Sequence, residues 1–194
     1  MRAQVHIIRR WERKPLPALL PMALALLLTA CAAGSTLLPP PGLGTRIIEG
    51  VPFFAQQDYQ CGPSVLASLL GHLGDALQPE EIGATIFRED MRGTLTLDMG
   101  LYPRQRGHES SFGPGSPEAL VASIDAGRPA GVMINLGFNV VRRLHFMTVI
   151  GYTPDAVVAH SADQRATHIP WSTFLAQWDY AGRWMLTVRP GNTP

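Results

Sequence analysis

The chain has 194 residues, of which 46% are hydrophobic and 16% charged, with a formal net charge of +1. That length holds one domain plus a targeting segment. The near-neutral balance offers no basic excess for nucleic acid and no acidic run for a solvating tail.

The first 30 residues read as an export signal. Arg2, Arg9, Arg10, Arg13 and Lys14 form a basic start, and Leu16 to Leu28 is apolar apart from Pro17 and Pro21. A bilayer span needs about 20 apolar residues, so this stretch is short, as in a signal peptide. Leu28, Thr29, Ala30 and Cys31 resemble the bacterial lipobox. That resemblance implies diacylation of Cys31, which becomes the first residue of the mature chain. Two or more acyl chains give stable anchoring where one does not. Ala32, and not Asp, follows the cysteine, which by resemblance to lipoproteins of Gram-negative bacteria implies the outer membrane, facing the periplasm. Residues 31–45, with Pro39, Pro40, Pro41 and several glycines, read as a semi-rigid tether. A single domain is expected over residues 46–194.

Within it, Ile47, Ile48 and Val51 to Phe54 make an extended apolar entry. Cys61 to Leu73 has helical spacing, with Val65, Leu66, Leu69, Leu70 and Leu73 on one face and Gly74 as terminator. Pro79, Glu80 and Glu81 open a second helix, where proline fits the first turn and acids suit the positive helix end. Gly93 to Gly115 carries no readable pattern and is expected to form a flexible rim. Ser116 and Pro117 open a third helix that Gly127 ends. Ala130 to Leu136, His145 to Tyr152, Ala156 to His160 and Trp184 to Val188 are β-rich runs. Pro170 to Trp178 reads as a helix between the last two. The predicted class is α+β, with N-terminal helices packed on a C-terminal antiparallel sheet.

The chemistry centres on Cys61, placed where a loop becomes a helix. The positive helix end is expected to lower its pKa and favour the nucleophilic thiolate. Gly62 would leave room beside the sulfur for a substrate carbonyl. The chain's other cysteine, Cys31, belongs to the lipobox, so a disulfide is not expected. A cysteine nucleophile needs a base brought close in space. Six histidines are present. His6 leaves with the signal, His72 lies in the first helix, and His108 in a glycine-rich stretch. His160 ends a strand and His168 lies in a loop. His145 heads a strand, where a base would be held rigidly. His160, Asp163 and His168 match no metal-binding spacing, and no phosphate-binding loop or ATPase domain is visible. No cofactor, nucleic acid or ATP is expected.

The segment Gln57, Asp58, Tyr59, Gln60, Cys61, Gly62, Pro63, together with the run His145 to Tyr152, resembles the bacteriocin-processing (double-glycine leader) cysteine peptidases and their relatives. The resemblance spans about residues 51 to 188 and takes in Phe174, Trp178 and Trp184. It implies a papain-like fold and a peptide or protein substrate. By this likeness Cys61 attacks the scissile carbonyl, and His145 takes the thiol proton and returns it to the leaving amine. A glutamine before the cysteine donates to the oxyanion, assigned to Gln56 with its neighbour Gln57 as the alternative. The third member departs from the family pattern. Asp163 is the acid expected to orient His145, yet it falls about two residues late, and Ser161 is nearer the expected place. Three readings follow: a lipid-anchored thiol peptidase, a catalytically silent papain-like binding module, and a cell-wall amidase or transglutaminase-like hydrolase.

Overall fold

The computed structural model describes residues 38–55, 60–137 and 141–191. The proposed signal, the lipobox cysteine Cys31, and Gln56 and Gln57 lie outside the described residues.

The described chain begins with a short strand, β1 (Arg46–Ile47), followed by the cysteine-bearing helix α1 (Cys61–His72) and α2 (Pro79–Ile86). Glu81 accepts the Gln78 backbone N–H at 2.8 Å, which closes the start of α2. A small hairpin, β2 (Phe87–Arg88) and β3 (Gly93–Thr94), leads into α3 (Thr96–Gln105). Then come β4 (Glu109–Pro114), α4 (Pro117–Asp125), β5 (Ala130–Asn135), β6 (Leu144–Tyr152), β7 (Ala156–Ser161), β8 (Gln164–Pro170), α5 (Trp171–Tyr180) and β9 (Trp184–Arg189). Ser116 caps α4 as expected, accepting the Ala119 N–H at 3.2 Å.

Apart from β2 and β3, the strands form one antiparallel sheet in the order β4-β9-β5-β6-β7-β8, with β1 joined to the far end of β6. This is the expected α+β arrangement, with two additions. The stretch from Gly93 to Gly115 is not a flexible rim throughout: it contains α3 and the edge strand β4. Strand β8 follows β7 through a tight hairpin. Both β4 and β8 are polar strands with little periodicity (Glu109, Ser110 and Ser111 in one; Gln164, Arg165 and Thr167 in the other). Edge position explains why they need no continuous apolar run.

Two apolar clusters hold the layers together. One gathers Val65, Leu66, Leu69 and Leu70 of α1 with Ile82, Met99, Phe146 and Leu186. The other joins Leu120 and Ile124 of α4 and Phe174, Leu175 and Trp178 of α5 to Val132, Ile134, Met147 and Val149. Trp178 is fully buried, and its indole N–H donates to the Trp184 carbonyl at 2.9 Å. The consequence for function is positional. Strand β6 sits centrally, packed by α1, and carries a histidine at its first turn of ladder.

Candidate active site

Cys61 is the first residue of α1. Gln60 precedes it without a side-chain cap, so among the described residues no capping oxygen takes the backbone N–H groups at the helix start. The thiol is free and half-buried. Burial pushes its pKa above the ordinary value, and this outweighs the backbone N–H groups of Phe146, Gly62 and Cys61 itself, which favour the thiolate. The expected lowering by the helix end is therefore reversed: desolvation of the sulfur wins over the helix N-terminus.

Gly62 also has a different purpose from the one expected. A Cβ there would meet Thr94 Cβ and Oγ1 at 2.9 Å and Met99 Sδ at 3.1 Å. The glycine lets α1 pack against β3 and α3, which form one wall beside the thiol. The Thr94 hydroxyl at this contact is buried without a hydrogen-bond partner among the described residues.

His145 faces the same cleft. A cavity of about 680 Å³ is lined by Cys61, Thr94, Arg143, His145 and Phe146 among others. Burial, then the nearby Arg143 guanidinium, pushes the His145 pKa below its ordinary value, so the imidazole is neutral near pH 7. Its Nε2 is hydrogen-bonded to Ser161 Oγ at 3.1 Å. Ser161 thus occupies the place where the resemblance puts an acid. Asp163 lies exposed in the β7–β8 turn, with no hydrogen bond or ion pair among the described residues. The β7–β8 hairpin reverses immediately after Ser161, which carries Asp163 outward.

A serine is not equivalent to an aspartate here. A carboxylate only accepts, so it fixes the tautomer with hydrogen on Nε2 and leaves Nδ1 free as a base. A hydroxyl both donates and accepts. It adds no charge to stabilise an imidazolium.

Two groups have positioning roles that the sequence did not suggest. Buried Asn135 accepts the backbone N–H groups of Gly137 and Arg143, each at 2.9 Å, and so closes the β5–β6 connection just before His145. His160 is buried as well. It accepts the Ala166 N–H at Nδ1, and its Nε2 donates to the Val51 carbonyl at 3.3 Å. It thereby ties the hairpin that carries Ser161 to the segment leading towards Cys61. A lone polar side chain in a strand carries no periodic signal, which is why neither stood out. His168 and Asp163 do not join His160, and no group among the described residues could hold a metal ion.

The model of the Peptidase_C39-like family matches residues 48–185. The chain belongs to the C39-like peptidase family. Its fold is similar to that of a C39-like peptidase from Bacillus anthracis, with 16% identity and a TM-score of 0.67, covering 78% of this chain and all of the other. The peptidase domain of Streptococcus ComA, a bifunctional ABC transporter involved in quorum sensing, is 20% identical, with a TM-score of 0.60 over 72% of this chain and 98% of that domain. A double-glycine-motif protease from an AMS/PCAT transporter, solved with its leader peptide, is 19% identical, with a TM-score of 0.52 over 76% and 99%. No curated protein matches the sequence. The C39-like membership covers the whole Cys61-to-Trp184 framework, including the cleft, α1 and β6.

Proposed function

We propose that this C39-like chain is a thiol peptidase, with Cys61 as nucleophile, His145 as general base and Ser161 as the group that orients it. The observation that carries this reading is the shared cleft. Cys61 at a helix start and His145 on the central strand line one cavity, and the far ring nitrogen of His145 is held by Ser161. Because burial raises the thiol and lowers the imidazole, both partners rest uncharged. Attack then begins from a neutral thiol, whose proton passes to His145 as the C–S bond forms, and the imidazolium later protonates the leaving amine. A glutamine among Gln56 and Gln57 supplies an oxyanion donor in this scheme. Asp163 has no role in it. A peptidyl vinyl sulfone probe should label Cys61 alone, as mapped by mass spectrometry. Loss of the label in His145→Ala supports the pair, and unchanged labelling refutes it.

The uncharged pair and the serine in place of an acid also favour a second reading, a peptide-binding module with little turnover. If Cys61→Ala restores the cellular phenotype of a deletion strain, binding carries the function.

The cellular setting we infer is the periplasmic face of a bacterial membrane, probed through Cys31. The lipobox-like Leu28 to Cys31 supports it. Cys31→Ser should abolish incorporation of labelled palmitate and move the chain to the soluble fraction. Unaltered labelling would refute the anchor.

A further inference from the structure

The cleft has an uneven charge. Its lining includes Arg92, Arg143 and His145, and no aspartate or glutamate among the described residues. The position that would carry the family's acid, facing His145, is the neutral Ser161. A base that must become cationic during turnover therefore sits beside a guanidinium, with no carboxylate among the described lining residues to offset either.

Arg143 differs from five other arginines of the domain. Arg88, Arg106, Arg183 and Arg189 are paired with Asp98, Asp75, Asp179 and Glu109, and Arg104 is bonded to Ser110. The Arg143 guanidinium has no hydrogen bond or ion pair among the described residues. Its backbone is nonetheless fixed: its N–H donates to buried Asn135, and its carbonyl accepts the Leu136 N–H at 2.9 Å. The side chain is thus presented to the cleft mouth from a rigid point, as a specificity contact requires. Around it the rim is apolar. Met91, Leu95 and Leu144 line the same cavity and are 53%, 40% and 49% exposed.

We propose that the cleft selects peptides with an acidic side chain beside the scissile bond and apolar residues flanking it, and that Arg143 receives the carboxylate. Guanidinium and carboxylate match in two parallel hydrogen bonds. The substrate would also bring in the negative charge that Ser161 does not supply, so bound peptide and catalytic base become electrostatically compatible. The inference rests on the peptidase reading of the cleft, yet its test does not require turnover.

Two fluorescein-labelled octapeptide pools serve as probes, identical except for Glu or Gln at the centre, with Leu or Met on either side. Binding is read by anisotropy against full-length Cys61→Ala protein. The Glu pool should bind about fivefold more tightly, the size expected of one exposed charge pair. Adding Arg143→Gln should erase the difference, and Arg143→Lys should keep part of it. Raising the salt should shrink whatever difference the arginine or lysine protein shows. Equal binding of both pools, or a preference that survives Arg143→Gln, overturns the proposal. Cleavage of either pool by the unmutated protein is scored separately. Selective binding without cleavage would uphold this inference and remove the peptidase reading.

Discussion

At the residue scale, the thiol and the imidazole set the behaviour of the site. The Cys61 pKa lies above its ordinary value of 9.0 and that of His145 below its ordinary 6.5. A thiolate–imidazolium pair at neutral pH would need the opposite order. Alkylation of Cys61 by iodoacetamide should therefore rise steadily through the alkaline range, with its inflection above pH 9. A plateau at pH 6 to 7 would contradict this. The serine at position 161 is the reason no carboxylate counteracts the burial of His145. Replacing it by aspartate adds an acceptor-only partner and a negative charge. Ser161→Asp should raise the rate of peptide hydrolysis near pH 7 by about tenfold or more. A rate that falls instead would mean that the hydroxyl itself, and not its place, is what the site needs.

At the element scale, α1 and β6 make the site by packing, and the close contact at Gly62 decides how near they come to the hairpin wall. Gly62→Ala forces Thr94 or Met99 to move and should cost about 1–3 kcal/mol of stability, read as a lower Tm. An unchanged Tm would show that the wall yields freely. These two elements were legible in the sequence because each has a strong local pattern: α1 through Val65, Leu66, Leu69 and Leu70, and β6 through its run from Phe146 to Ile150. The cap at Ser116 was equally plain. Helix α3 was not, because Gly100 and Pro103 lie within it and it buries only Met99, Gly100, Tyr102 and Pro103. Strands β4 and β8 were hidden because edge strands do not need an apolar face. For the site itself, residue type and the family resemblance pointed to Cys61 and His145, which the fold brings to one cavity. The choice between Asp163 and Ser161 depended on where a hairpin turns, which a two-residue difference in spacing does not decide. The direction of the Cys61 shift was misjudged because the helix end is visible in a sequence and the depth of burial is not.

At the scale of the whole molecule, burial keeps two histidines neutral. Both His145 and His160 have pKa values pushed below 6.5, chiefly by burial. The unfolded chain takes up those protons as pH falls through about 6.5, whereas the folded chain resists them, so stability is present above that pH and declines below it. Chemical denaturation should show a lower midpoint at pH 5 than at pH 7.5, and His160→Gln should reduce the difference. A midpoint independent of pH over that window would contradict this account. Protonation of His160 would also cost the bond it accepts from Ala166, loosening the hairpin that holds Ser161. Stability and the geometry of the site are therefore expected to fail together in acid.

In the proposed function, Cys61 and His145 together break peptide bonds. The most direct measurement is mass-spectrometric detection of new peptide N-termini after a proteome-derived peptide library is incubated with the full chain, with Cys61→Ala and with His145→Ala. The account predicts defined cleavage by the unmutated protein and none above background by either variant. Cleavage undiminished in Cys61→Ala, or no cleavage by any of the three, would contradict it.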